Sequence, residues 1–199
     1  MTIRSYNRRL FNNLRKRARR TDGSISVEAM LMLPLLIWCF LGAYVFYDAY
    51  RAQFVNGKAS YTIGDILSRE TDYITPEYLD SIYNLHQVLV GRPTPVRLRV
   101  SVITYDEGDD TYSVIWSENR GGGGTIDDGE LAGMLAMIPE MADASRAIVV
   151  QTSMEYAPIY SAGVGTMQFD DLIVTRPRFA GQLCWNTVNE NPTATTATC

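Results

Sequence analysis

The sequence has few of the residues and motifs that enzymes use for catalysis. His86 is the single histidine, and no nucleophile in a known pattern stands beside it, so we expect a surface or packed helix residue. No Gly-x-Ser-x-Gly motif is present, and the glycines at 121–124 are not followed by the Lys-Ser or Lys-Thr of a phosphate loop. The acidic residues 106–110 lack the spacing of a calcium loop and favour a solvated hairpin turn. We expect no enzyme activity, cofactor or metal site.

Acidic residues are almost absent from the N-terminus, where Asp22 is the only one before position 24. The same stretch holds 8 of the 18 basic residues, so 10 basic and 21 acidic residues remain, a balance of −11. A basic arm can bind nucleic acid, but this one directly precedes a long apolar run. Lys and Arg beside a membrane span stay in the cytoplasm. We therefore expect a cytoplasmic N-terminus, and the acidic body argues against a nucleic acid partner.

Charge is also absent from residues 29–47, whose 19 residues read AMLMLPLLIWCFLGAYVFY. As a helix they would extend about 28 Å, close to the hydrocarbon thickness of a lipid bilayer. Asp48 and Arg51 close the segment. Its outer end carries tyrosines of the kind that form an interfacial belt, namely Tyr44, Tyr47 and Tyr50. The pattern predicts a transmembrane helix over residues 24–50.

A cleaved signal or a soluble core helix fits the apolar segment less well than a membrane span. A secretory signal cut near Gly42 would place Leu41 or Phe40 where a small residue is needed. A lipoprotein signal needs a small residue before the cysteine, and Trp38 precedes Cys39. A buried helix of a soluble protein would not explain the basic residues that precede the segment.

Pro34 interrupts the apolar segment. Proline removes a helical hydrogen bond and bends a helix, but membrane helices tolerate it when neighbours compensate. We interpret Pro34 as a site of kinking or packing against partner helices.

Glu28 is an isolated carboxylate at the cytoplasmic edge of the predicted span. It could simply lie among lipid headgroups near Arg19 and Arg20. Alternatively, a cut between Gly23 and Ser24 would give Ser24 a positive α-amine. Ser24 and Glu28 are four residues apart and share a helix face, so Glu28 could pair with this amine or with that of a neighbouring molecule. The helix dipole also favours a carboxylate in the first turn.

These features resemble a type IV prepilin signal, in which a basic leader ends at a glycine and a glutamate stands fifth in the mature chain. Together with the sequence Leu-Pro-Leu-Leu at 33–36, Gly23 and Glu28 resemble the TadE-like minor pilins, or pseudopilins, of the tight-adherence (Flp) pilus system. The resemblance is strong over about residues 15–50. One departure is Ala29, where family members commonly carry an aromatic residue.

Looser likeness continues in the body, at residues 154–158 (MEYAP), residues 176–179 (RPRF) and Cys184-Trp185. The resemblance implies a bacterial inner-membrane protein that takes part in pilus assembly and cell adhesion. Its body would be periplasmic or extracellular, and a prepilin peptidase would cut after Gly23. Other pilin-like subunits and pilus assembly proteins would be its partners. The alternative is an uncleaved single-pass membrane protein whose body is a binding module.

The body pattern predicts an α+β fold. The first helix is expected to continue to Arg69. Its apolar contacts are expected from Phe54, Val55, Tyr61, Ile63, Ile66 and Leu67. A second helix should begin after Thr75 and end at Gly91. Alternating residues predict a strand at 96–103, and further strands are expected at 112–116, 147–156 and 167–175. A further helix is expected from Asp127 or Asp128 to Met141.

The predicted domains are therefore a leader at 1–23, a transmembrane helix at 24–50 and a pilin-like domain at 51–199. Cys184 and Cys199 both fall in that last domain. An oxidising compartment would let them pair, contributing about 3 kcal/mol. Two free thiols, or a different partner for Cys199, are equally compatible with the spacing. The tail at 191–198 is expected to be mobile unless Cys199 anchors it.

Overall fold

A computed structural model describes residues 22–160, 163 and 165–199. The predicted α+β class is confirmed, with a long N-terminal helix followed by an antiparallel sheet and shorter helices. The chain divides into two compact units, Met1–Phe46 and Tyr47–Cys199. Helix α1 (Asp22–Arg69) contributes residues to both, and the sheet lies in the second unit.

The remaining elements all belong to the second unit. They are α2 (Pro76–Val90), β1 (Val96–Asp106), β2 (Thr111–Arg120), α3 (Asp128–Ala132), β3 (Arg146–Tyr156), β4 (Met167–Thr175), β5 (Trp185–Asn186) and β6 (Ala197–Thr198).

Helix α2 begins and ends where its sequence predicts. The Thr75 side chain accepts a hydrogen bond from the backbone N–H of Tyr78, and Pro76 occupies the first helical position, where its missing N–H has no cost. Gly91 ends the helix with φ of 63°, in the left-handed region that favours glycine. Both boundary predictions are confirmed because capping chemistry is local.

The main sheet has four strands in the order β2-β1-β3-β4, and every neighbouring pair is antiparallel. The acidic residues 106–110 form the turn between β1 and β2, as predicted. Strands β1 and β3 are central, so each is hydrogen-bonded on both sides, while β2 and β4 are the edges.

One face of the sheet, here called the inner face, packs against α1 and α2. Ile63 and Leu67 of α1 and Leu79 of α2 are fully buried there. They meet an alternating set of strand residues, namely Leu98, Val100, Val102, Ile148 and Val150. The period of two along β1 and β3 therefore supplies the apolar core, as the sequence pattern indicated.

The opposite, outer face is covered only at one end. Ile126, Leu131 and Met141 from the connection between β2 and β3 pack there against Ile103 and Val149. At the other end of the same face the polar side chains of β1, β3 and β4 remain open, and they line a cleft described below.

The helix predicted from Asp127 or Asp128 to Met141 is wrong in its extent. Asp127 caps α3 by accepting from the N–H of Glu130, but α3 ends at Ala132. A single 3-10 turn, Leu135–Met137, follows. Two glycines and Pro139 in this short stretch disfavour a continuous α-helix.

A second correction concerns the apolar contacts of α1. Phe54 and Tyr61 are exposed by 69% and 67%, whereas Ile63 and Leu67 are fully buried as expected. Before Ile63, small and polar residues of α1 take the buried positions, among them Ala52, Asn56, Ala59 and Ser60.

Candidate functional site

The first part of α1 presents a continuous apolar surface. From Ile25 to Phe40 every large hydrophobic side chain is exposed, with Met30 reaching 79%. Within the described part of the chain, α1 is the one helix long and apolar enough to cross a membrane. Tyr44, Tyr47 and Tyr50 are also exposed near the C-terminal end of that apolar stretch.

The predicted processing residues lie at the beginning of the described chain. Gly23 and Ser24 belong to α1, and their cleavage stays a prediction. Glu28 is exposed on the same helix. Arg19 and Arg20, its possible headgroup-level neighbours, lie outside the described residues. Helix α1 continues without a break through Pro34.

An ion pair lies where α1 enters the second unit. Arg92 Nη2 donates to Asp48 Oδ1 at 2.6 Å, and the Tyr156 hydroxyl donates to Asp48 Oδ2 at 3.0 Å. The Arg92 guanidinium also lies 5.4 Å from the centre of the Tyr156 ring. Asp48 was expected only to close the apolar span; here it joins α1 to the α2–β1 connection and to the end of β3.

A buried polar cluster joins the middle of α1 to the sheet. Asn56 Nδ2 donates to Asp171 Oδ2 at 2.6 Å and to Thr152 Oγ1 at 3.3 Å. The Ser60 hydroxyl donates to the backbone carbonyl of Asn56 at 2.9 Å and is also within hydrogen-bond distance of Thr152 Oγ1. Asn56 and Ser60 have no exposed surface, so these hydrogen bonds replace the hydrogen bonds to water that burial removes.

His86 of α2 completes this cluster. Its Nε2 lies 3.2 Å from Asn56 Oδ1, and its side chain is fully buried. Since the Asn56 amide nitrogen already donates elsewhere, the imidazole donates through Nε2. Nδ1 is buried and has no hydrogen-bond partner among the described residues. Burial lowers the pKa of His86 from 6.5 to about 4, which keeps the ring neutral near pH 7.

Two glycines of α1 face the edge strand β4. A Cβ on Gly57 would lie 3.6 Å from Asp171 Oδ1, and one on Gly64 would lie 3.4 Å from Ile173 Cγ2. The glycines are seven residues apart and therefore share a face of the helix. A methyl group at either position would make ordinary van der Waals contact, so the glycines mark the face of α1 that lies beside β4.

The structure joins Cys184 and Cys199 by a disulfide. The chain around it is tied to the body, because Ile74 N–H donates to the Cys184 carbonyl at 2.9 Å. Trp116 Nε1 donates to the neighbouring Leu183 carbonyl at 2.8 Å. The tail ends in β6, which pairs with β5, so the C-terminus is anchored.

The open end of the outer sheet face forms a cleft of about 430 Å³. Its floor comes from three strands and one wall from the glycine loop at 122–124. The side chains are those of Arg97, Arg99, Met137, Gln151, Ser153, Gln168, Asp170 and Leu172.

Sequence reasoning did not identify the Asn56 cluster, the Asp48–Arg92 pair or this cleft. One local signal was available. Asn56 and Ser60 are four residues apart and lie between apolar positions of the same helix face, where an uncompensated polar side chain is costly. Their partners on β3 and β4 come from nearly a hundred or more residues away and carry no local signal.

Comparisons with protein-family models, with curated proteins and with solved structures found no match.

Proposed function

We propose that this protein is a minor pilin or pseudopilin that takes part in assembling a tight-adherence (Flp) pilus. The observation that carries the proposal is the arrangement along one helix. Gly23, Ser24 and Glu28 precede a long run of exposed apolar side chains, and the same helix α1 ends at Arg69 within an α+β body. The resemblance of residues 15–50 to TadE-like sequences supports it.

In the proposed topology the basic residues before position 24 stay in the cytoplasm of a bacterium. Helix α1 crosses the inner membrane, and the body lies on the periplasmic side. A disulfide between Cys184 and Cys199 is compatible with an oxidising compartment. A prepilin peptidase cuts after Gly23, and the new amine of Ser24 pairs with Glu28 of its own or a neighbouring subunit. Asp48 and Arg92 fix the start of the body on α1.

The first test is the mass of the N-terminus in protein extracted from native membranes. Cleavage after Gly23 removes 23 of 199 residues and leaves 176. Gly23→Leu should block this cut by placing a bulky side chain at the scissile bond. Gly42→Leu is the matched control, because a Cβ at Gly42 meets nothing within 4 Å. Wild-type protein that begins only at Met1 or Thr2 would contradict the proposal.

The second test separates assembly from processing. Glu28→Ala should reduce piliation while leader removal and membrane insertion continue, because only the pairing with the Ser24 amine is lost. Glu77→Gln removes an exposed carboxylate from α2 and should leave piliation unchanged. If piliation survives Glu28→Ala, charge pairing is not the mechanism.

A second candidate function is a single-pass membrane protein with a binding module, and the outer-face cleft is the observation that favours it. An intact leader, together with no association with pilus components in crosslinking experiments, would favour this candidate over the first.

A further inference from the structure

The outer-face cleft has the size of a small-molecule site. Ligand pockets usually have volumes of about 300–1,000 Å³, and this open cleft has a volume of about 430 Å³. Its floor is ordered by the strand register, which places Arg97 opposite Ser153 and Ser153 opposite Asp170. The neighbouring row places Arg99 opposite Gln151. Side chains from three strands therefore project from one surface.

Arg97 is the cation in this cleft that is available to a ligand. Arg99 is engaged, because its Nε donates to Gln151 Oε1 at 2.7 Å and its Nη1 lies 3.6 Å from Glu130 Oε2. Arg97 is exposed and makes no ion pair within the described chain. An open guanidinium matches a carboxylate with two parallel hydrogen bonds. An anionic group is therefore the ligand group that best matches the part of the cleft beside Arg97.

The rest of the floor offers hydrogen bonds suited to hydroxyl groups. Gln168 Nε2 donates to Ser153 Oγ at 2.8 Å and to Asp170 Oδ1 at 3.0 Å. The Ser153 hydroxyl can still donate, and the second Asp170 oxygen can still accept. Met137 and Leu172 add apolar surface beside these groups. A polyhydroxylated ring is complementary to this floor, because its hydroxyl groups can bond to the polar side chains and its C–H face can pack on the apolar ones.

The glycine loop keeps the wall of the cleft low. Gly122, Gly123 and Gly124 have φ values of 91°, 104° and 75°, where L side chains are strained. A Cβ on Gly122 or Gly124 would meet nothing within 4 Å, and one on Gly123 would lie 3.7 Å from Arg97 Cδ. The open space beside Arg97 is therefore available to a ligand.

A peptide fits this floor less well than a saccharide. Extended peptides are usually held by free backbone groups at a sheet edge. Strands β1 and β3 form most of the floor, and both are central strands whose backbone groups already serve two ladders. Over these two strands recognition has to come from side chains, which suits a ligand rich in hydroxyl groups. The edge strand β4 adds the side chains of Gln168, Asp170 and Leu172 to the same floor.

We propose that the outer-face cleft binds an acidic saccharide, with Arg97 holding its carboxylate and Ser153 and Asp170 holding its hydroxyls. This site goes beyond the pilus role and does not depend on leader processing, which the N-terminal mass reports separately.

The test uses the full chain in detergent micelles and saturation-transfer NMR with digalacturonate as the probe. Lactose serves as a neutral disaccharide and trialanine as a peptide. Arg97→Ala removes the proposed carboxylate partner at an exposed position, so folding should be preserved. Arg176→Ala is the matched control, because Arg176 is exposed and outside the cleft.

Digalacturonate is expected to bind more tightly than lactose or trialanine. Arg97→Ala should weaken its binding at least about tenfold, as expected for a lost charge-assisted pair. Ser153→Ala should weaken both saccharides, and Arg176→Ala should change neither. The proposal is overturned if digalacturonate fails to bind, if trialanine binds best, or if Arg176→Ala rather than Arg97→Ala removes binding.

Discussion

The buried histidine makes stability depend on pH in a direction that can be measured. His86 has no exposed surface, its Nε2 donates to Asn56 Oδ1, and its Nδ1 has no partner among the described residues. Protonation would place a positive charge and an unpaired N–H in the interior. Asp171, the carboxylate of this cluster, accepts a hydrogen bond from the Asn56 amide, whose oxygen in turn accepts from His86. Burial therefore lowers the pKa to about 4.

The size and sign of the effect follow from linkage. The ordinary pKa of 6.5 applies to the unfolded chain, so above it both states are neutral and the full stability is present. As pH falls from 6.5 to about 4, the unfolded chain takes up the proton first, and stability is lost. Each unit of pKa difference corresponds to about 1.4 kcal/mol, so His86 should destabilise the body by about 3 kcal/mol below this window.

The sequence makes the assay direct, because His86 gives the single imidazole signal of the chain. NMR titration of that signal should have a midpoint near the lowered pKa of about 4. His86→Gln keeps an N–H donor for Asn56 and removes the titrating group. On acidification, the free energy of unfolding of this variant, measured with denaturant, should therefore fall by about 3 kcal/mol less than that of the wild type. A midpoint close to 6.5, or identical pH profiles of wild type and variant, would refute the reasoning.

Two further predictions concern the ends of the body. Asp48→Ala leaves a mostly buried guanidinium of Arg92, 28% exposed, without its partner. This change should lower the free energy of unfolding, measured in urea, by about 2–3 kcal/mol, which is less than the loss expected for a fully buried pair. Asp65→Ala should lower it by under about 1 kcal/mol, because the pair of Asp65 with Arg69 is exposed. Cys199→Ser opens the disulfide with Cys184 and should cost about 3 kcal/mol. A wild-type midpoint that is unchanged by reductant would contradict that expectation.

The elements of this fold that sequence patterns predicted are those specified locally. Thr75, Pro76 and Gly91 define both ends of α2 through contacts within a few residues. Strand β4, Met167–Thr175, matches its predicted bounds, and its second half, LIVT at 172–175, is rich in β-branched residues that favour strands. The long helix was predictable because an apolar run without charge leaves few alternatives.

The missed features depend on partners that are distant in sequence. The phenylalanine and tyrosine of α1 at 54 and 61 looked like core residues, yet the glycines at 57 and 64 mark the face that packs on β4. The candidate cleft also required topology. Arg97, Ser153 and Asp170 are ordinary polar residues on separate strands until the order β1-β3-β4 places them in one row.

The buried polar cluster has a consequence for how α1 is held. The buried face of α1 carries small residues such as Ala59 beside this cluster, whereas Ile63, one turn further on, is a large core residue. A shift of the helix by one turn would displace both. Such a shift would move Asn56 away from Asp171 and His86, leaving the buried side chains of Asn56 and His86 unsatisfied. Each would cost about 1–3 kcal/mol, so the cluster favours one register by several kcal/mol. The polar contacts therefore act together with the apolar core to fix which residues of α1 lie against the sheet.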